Sequence, residues 1–335
     1  MIRLQRLQRR LLGSRLLRLV GTALGLLLLV RAVDLHRAAA SLRDANVRCL
    51  AAGVGLTALV ILTTAMQWGV VLRQRRRFGW VQIGSWHLQS LFFASIVPAG
   101  VGGDAMRCAA AGPQAGTGAT LATLAASRLS GTLGMALWGV AGAIALHATV
   151  GPVVLAAAAV FAALMLLSGA GALVADRIVH RAYRSRHLRS RDLPRRLGPF
   201  VSGLAGLRRR PRVVLACIAS GAASWGLNLL ALSFFAHAIG ADVAWTVFAV
   251  AVPVSLVTTL VPFSINGMGL REGVLVGMLA HSGMATSSAV AVSLIVDLQM
   301  IPFALIGAAI LLARRSAAVG RDLRGPYRTI GDSTA

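Results

Sequence analysis

Two glycine-rich runs, each ending in arginine, hold the residues of this sequence best suited to chemistry. The first reads Pro98-Ala99-Gly100-Val101-Gly102-Gly103-Asp104-Ala105-Met106-Arg107. The second reads Pro262-Phe263-Ser264-Ile265-Asn266-Gly267-Met268-Gly269-Leu270-Arg271, with Glu272 next. In both, a Gly follows the Pro by five residues and an Arg follows it by nine. Arg forms paired hydrogen bonds to phosphate oxygens, and unwound glycine-rich backbone exposes N–H groups that attract anions. Both runs interrupt long apolar stretches, and broken apolar segments at matching places in two halves point to a transporter's binding site.

Asp104, Arg107, Arg128, Arg271, Glu272 and Asp297 are all ionisable and all lie within apolar stretches; Glu272 is the only Glu in the chain. One charge at the bilayer centre costs about 2.5–3.5 kcal/mol on insertion scales. The six must therefore face a cavity or one another. Three acids and three Arg sum to zero, so a closed structural ion-pair network is one reading and an anion-binding site is the other. Asp104 and Arg107 are three apart and can pair on one helical face. Arg271 and Glu272 are adjacent and point apart on a helix, so Glu272 is expected to find its partner on another segment, Arg107 or Arg128. The expected substrate-binding set is Gly102, Gly103, Asp104, Arg107, Arg128, Asn266, Gly267, Gly269, Arg271, Glu272 and Asp297.

The remaining residues around the runs have more ordinary expectations. Gly102, Gly103 and Gly267 are expected at tips that need permissive backbone. Gly269, Gly273 and Gly277 have the spacing of close helix packing. Pro98 and Pro262 stop the arms that lead into the runs. Asn228 and Gln299 read as hydrogen-bonding glue between helices.

These residues need a scaffold of membrane helices. Apolar residues make up 57% of the chain, and its mean hydropathy is +0.75. Several stretches reach the length of about 18 residues that a bilayer crossing requires. The net charge is +24, all of its basic side chains are Arg, and they cluster outside the apolar stretches. That distribution is the positive-inside pattern of a multi-pass membrane protein and argues against nucleic-acid binding. Cys49, Cys108 and Cys217 have no metal-ligand spacing, and neither a disulfide, a metal nor a cofactor is expected.

Charge bias and parity give the threading. Full spans are expected at 16–33, 49–72, 119–146, 152–175, 213–239 and 285–313, with basic cytoplasmic segments at 1–18, 73–77, 176–212 and 314–315. The first span is read as an uncleaved anchor, with a cleaved signal as the alternative. Residues 81–117 lie between two cytoplasmic anchors and must cross an even number of times. They read as a re-entrant hairpin, with two thin spans as the alternative. Residues 245–283 repeat the pattern at an offset of 164, entering from the other side. The expected fold is therefore all-α and polytopic: an inverted repeat of about six full transmembrane helices and two opposed re-entrant hairpins. Its parts are a basic segment and first span (1–48), a first repeat (49–146), a linking span and basic loop (147–212), a second repeat (213–313) and a tail (314–335). Both termini are expected in the cytoplasm, at a bacterial inner membrane.

At Pro98…Gly102-Gly103-Asp104…Arg107, at Arg128 and at Gly267-Met268-Gly269-Leu270-Arg271-Glu272, the chain resembles the lysylphosphatidylglycerol-synthase transmembrane family, often called flippase-like. The resemblance covers nearly the whole chain and implies lipid translocation. That family includes the membrane portion of enzymes that make and flip aminoacylated phosphatidylglycerol. It also includes stand-alone members linked to polyprenol-linked sugars, glycolipids or hopanoids. The sequence shows no aminoacyl-transferase domain, so synthesis is not expected. Asn266-Gly267 stands where the family pattern suggests a Gly pair.

The leading functional reading is a translocator for a lipid with a polar, phosphate-bearing headgroup. Its partners would be an anionic phospholipid, an aminoacylated lipid, a polyprenyl-linked lipid, a glycolipid or a hopanoid. A second reading is an intramembrane enzyme with Glu272 or Asp104 as general base, although no nucleophile or metal set accompanies them. A third is a scaffold for a lipid or glycan biosynthetic enzyme, docked through the basic loop at 176–212.

Overall fold

The computed structural model describes residues 43–96, 101–146, 163, 200, 206, 210–257 and 269–322. The expected span at 16–33 and nearly all of the span at 152–175 and of the loop at 176–212 lie outside the described residues. So do Pro98–Gly100, Pro262, Asn266, Gly267 and the end of the tail. The regular elements among the described residues are helices: α1 (Val47–Leu72), α2 (Trp80–Ile96), α3 (Val101–Ala115), α4 (Thr117–Ala145), α5 (Pro211–Ala238), α6 (Trp245–Val257), α7 (Leu270–His281), α8 (Thr286–Leu298) and α9 (Ile301–Asp322).

Local chemistry sets the helix ends. Asn46 caps α1, its side-chain oxygen accepting from the N–H of Arg48 at 2.9 Å. Pro211 opens α5 in the first turn, where its missing N–H costs nothing. Pro302 is the second residue of α9. It has no N–H to continue the helical ladder, so the expected span at 285–313 is two helices separated by a turn at Gln299–Met300.

Three stretches are long and apolar enough to cross a membrane: Val47–Leu72, Pro211–Ala238 and Thr286–Arg314. At 1.5 Å per residue the 26 residues of α1 span about 39 Å, more than the roughly 30 Å hydrocarbon core. The helix at the expected span 119–146 has 29 residues but is not among the three. Its first half carries Thr117, Thr120, Thr123, Ser127, Arg128 and Ser130, with Thr132 just beyond, and these polar residues lower its hydropathy. The 17 and 15 residues of α2 and α3 span only about 26 and 22 Å.

The helix contacts fix relative directions. The start of α1 meets the end of α5, where the Asn46 N–H donates to the Ala238 carbonyl at 2.7 Å. Their other ends meet through Arg210, which donates to the Gln74 side chain. The two helices are therefore antiparallel. At that second end, Arg76 donates to the Gln114 carbonyl beside the end of α3 (3.4 Å). Arg314 on α9 donates there to Ser85 near the start of α2 (2.8 Å). The pair α2–α3 thus has both outer ends at the Arg-rich side. The pair α6–α7 has its outer ends at the opposite side: Trp245 meets Trp138 of α4 edge-on at 5.6 Å, and Leu279 and Met284 share a core with Ile239, Ala241 and Val243.

Packing in the two halves matches. Helix α1 packs on α2 as α5 does on α6, α2 on α3 as α6 on α7, and α3 on α4 as α7 on α8. The start of α5 follows that of α1 by 164 residues, from Val47 to Pro211. Small residues allow the closest crossings. A Cβ on Gly134 of α4 would sit 2.5 Å from the Gly221 carbonyl carbon of α5, and one on Gly221 would sit 2.6 Å from the Ser130 oxygen. Backbones in membranes approach this closely only where side chains are absent. Gly273 and Gly277, expected to pack this way, meet no heavy atom within 4 Å among the described residues. They lie on an open face of α7, and their spacing alone did not create a contact.

Overpacking a tight crossing costs about 1–3 kcal/mol. Gly221→Val is expected to lower the melting temperature of the detergent-solubilised protein measurably, whereas Gly277→Ala leaves it unchanged or raised. Equal melting temperatures for the two variants would show that the α4–α5 crossing does not limit stability.

Candidate functional site

Six intramembrane charges form two triads, each built from consecutive helices. Asp104 and Arg107 lie one turn apart in the first half of α3, and Arg128 reaches them from α4. The Arg107 Nη2 donates to Asp104 Oδ1 at 2.7 Å. The Arg128 Nε donates to Asp104 Oδ2 at 2.6 Å, and its Nη2 lies 2.6 Å from the same oxygen. One carboxylate therefore serves two guanidinium groups, and the triad carries a formal charge of +1.

The second triad inverts this composition. Arg271, on α7, pairs with Glu272 at 3.1 Å and donates to Asp297 of α8. One guanidinium serves two carboxylates, a formal charge of −1. The expectation that Glu272 needs Arg107 or Arg128 is overturned. Glu272 sits in the first turn of α7 and reaches back, so that the Gly269 N–H donates to its Oε2 at 2.6 Å. That backward reach, together with the length of the Arg271 side chain, brings neighbours in sequence into contact. Gly269 has φ of 84°, a left-handed conformation that favours glycine. It is a helix-entry residue and not the packing residue its spacing suggested.

Gly102 and Gly103 also differ from expectation. Both are buried in the first turn of α3. A Cβ on Gly103 would lie 2.9 Å from the Ser90 carbonyl oxygen of α2. At Gly103, close approach of α2 and α3, and not a left-handed backbone, is what requires glycine. Trp68 of α1 supports the Arg107 guanidinium from below, with 5.5 Å from its carbon to the ring centroid, and is itself fixed by donating to Thr123 at 3.2 Å.

Arg107 and Arg128 border a cavity of about 630 Å³. Its wall comes from the middle stretches of three long helices: Thr64 and Gln67 of α1, Ser127, Arg128 and Thr132 among others of α4, and Ser224 and Asn228 among others of α5, with Met300 between α8 and α9. The lining mixes hydroxyls, two amides and two guanidinium groups with apolar side chains. Thr64 and Ser224, both on its wall, share a hydrogen bond at 3.0 Å. A second cavity of about 60 Å³ lies against Arg271, Ser255, Leu275 and Val296. Asn228 borders both.

Of the expected site residues, Asp104, Arg107 and Arg128 come together, and Gly269, Arg271, Glu272 and Asp297 form a separate group. Gln299 is interhelical glue as expected, accepting from the Thr57 hydroxyl of α1. Asn228, read as glue, is instead the residue that the two cavities share. Thr64, Gln67, Ser127, Thr132 and Ser224 were not anticipated at the site. Their only signal was polarity at helical spacing within apolar segments.

These features define a helical membrane protein with a charged, partly polar cavity along the middle of its long helices. The chain belongs to the family described as the lysylphosphatidylglycerol synthase TM region, which matches residues 15–308. That membership places it among membrane proteins of lipid metabolism or transport. No curated protein matches the chain.

Removing the shared partner of a charge cluster leaves like charges facing each other, although Asp297 is exposed and Arg271 only partly buried, so the loss is smaller than for a fully buried pair. Arg271→Ala leaves two neighbouring carboxylates and is expected to lower thermal stability, with Arg271→Lys recovering part of the loss. In a double-mutant cycle, Asp297→Asn should cost less in the Arg271→Ala background than in the wild type. Additive losses would mean that the pair is not coupled.

Proposed function

We propose that the protein moves a lipid with a phosphate-bearing headgroup across the bacterial inner membrane, without catalysing a covalent change. The observation that carries this reading is the cavity of about 630 Å³ with Arg107 and Arg128 on its wall. It lies midway along helices long enough to span the bilayer. A headgroup needs such a polar route, because hydrocarbon offers it no hydrogen-bond partners. Its tails stay in the lipid, so the protein has only the headgroup to accommodate. Guanidinium groups suit phosphate in charge and in planar donor geometry.

The helix directions support an inverted repeat. Helices α1 and α5 are antiparallel at the 164-residue offset, and the short pairs α2–α3 and α6–α7 enter from opposite ends. In this reading the two pairs are re-entrant hairpins within a scaffold of six spans, their inner ends meeting near the midplane, as in transporters that work by alternating access. The unequal cavities fit a state open on one side: the larger is at Arg107 and Arg128, the smaller at Arg271, and Asn228 lies between them. By the positive-inside rule the cluster of Arg73, Arg75, Arg76, Arg77, Arg210 and Arg314 supports a cytoplasmic location for that end, and in this reading both termini lie on the same side.

The test uses purified protein in liposomes, with candidate lipids labelled in one leaflet and followed into the other. Anionic phospholipids, aminoacylated lipids, polyprenyl phosphates and glycolipids form the panel. Acceleration over empty liposomes is expected for at least one lipid. Arg107→Gln should reduce that rate by at least about tenfold, the scale of a lost charge-assisted contact, while keeping a cooperative thermal transition. No acceleration across the panel would overturn transport and favour the scaffold role. A folded Arg107→Gln variant with the wild-type rate would overturn the site.

A further inference from the structure

The carboxylate of Asp104 occupies the donors that an anionic headgroup needs. Its two oxygens receive Arg107 Nη2 at 2.7 Å and Arg128 Nε and Nη2 at 2.6 Å each. The two Arg residues, and not Asp104, border the large cavity. Donor capacity is also left over: Arg107 Nε is buried and has no hydrogen-bond partner among the described residues. A buried guanidinium N–H without an acceptor is costly in a dry interior, so an acceptor that reached it would gain more than a like-for-like exchange.

From this arrangement we propose that Asp104 is a resident counter-anion. It holds the two guanidinium groups in the empty state and is displaced when a substrate's phosphate binds. The inference rests on reading this cavity as the headgroup site. The exchange forms hydrogen bonds from Arg107 and Arg128 to phosphate oxygens and breaks those to Asp104, and no covalent bond changes. With one phosphodiester charge the triad and ligand sum to zero, so full retention of the +1 site is compatible with a monoanion. Asp104 then sets affinity: it weakens binding enough for the headgroup to leave, and it keeps the arginines paired when nothing is bound. The other triad cannot work this way, because Arg271 is already shared between Glu272 and Asp297.

The experiment uses the full chain in phosphatidylcholine nanodiscs. Dihexanoyl phosphatidylglycerol is the lipid probe and glycerol phosphate the free-phosphate probe, with binding followed by calorimetry. Asp104→Asn, nearly isosteric but uncharged, is expected to bind the lipid probe at least about tenfold tighter than wild type, because the competing charge is gone. Preference for the lipid probe over glycerol phosphate would identify a headgroup site, and the reverse would identify a site for free phosphate. In Asp104→Ala, added formate should compete with the probe; in wild type it should not. Wild-type protein labelled with 13C-aspartate gives a readout that needs no stable variant at this position. Adding the probe should shift a carboxylate stretch in the infrared difference spectrum as the Arg contacts are lost.

Wild-type or weaker affinity in a folded Asp104→Asn variant would overturn the proposal, as would an unchanged carboxylate spectrum on probe binding. Active lipid transfer combined with either result removes the role of Asp104 alone. Exchange at Asp104 without any lipid transfer removes the transport reading and leaves this one standing.

Discussion

Pairing of charge inside an apolar slab is the constraint on which the rest of this structure depends. Six ionised side chains cannot face hydrocarbon singly, and here each is tied to a partner on the same helix or the next. Asp104 holds Arg107 and Arg128, and Arg271 holds Glu272 and Asp297. Once those ties exist, α3 must lie against α4 and α7 against α8. The glycine contacts then follow: Gly103 lets α3 settle on α2, and Gly134 and Gly221 let α4 meet α5. The cavity is the space left where α1, α4 and α5 cannot close over the guanidinium groups.

The two triads are opposite in sign, and this gives them opposite preferences for a nearby ion. A cluster with an excess cation can accept an anion and become neutral. A cluster with an excess acid repels one. The halves therefore share packing but not charge, and the difference comes from which residue is shared. Asp104 sits between two Arg, and Arg271 between two acids. The likeness of the halves lies in their helix packing, and their difference lies in the charge of the two triads.

Much of this was legible in the sequence, because membrane insertion leaves a strong imprint. The helices at 49–72 and 213–239 stand out by hydropathy, and the offset of 164 appears in the glycine runs before any contact is known. The Asp104–Arg107 pair follows from helical spacing. Other features depended on depth and direction, which spacing does not encode. Gly273 and Gly277 repeat every fourth residue, yet a side chain there would meet nothing within 4 Å among the described residues. Glu272 folds back onto Gly269, a choice made by the helix entry and not by residue type. Asn228 reads the same whether it joins helices or borders cavities. The polar residues of α4 were visible as composition, but only the packing of α1 and α5 against them turns Ser127 and Thr132 into cavity wall.

The layout of the triads also bears on how the chain enters the membrane. Within α3 the acid and the base are one turn apart, and Arg271 and Glu272 adjoin each other, so each short segment can be partitioned into lipid with its main pair already neutralised. The two charges that cannot be settled locally are Arg128 and Asp297. Each belongs to the next helix made, α4 after the single residue Gly116 and α8 after the four residues 282–285. Each triad is thus completed by a neighbour emerging moments later from the ribosome. Neither triad has to wait in lipid for a charge from the other half of the protein, and the first half can be inserted before the second exists.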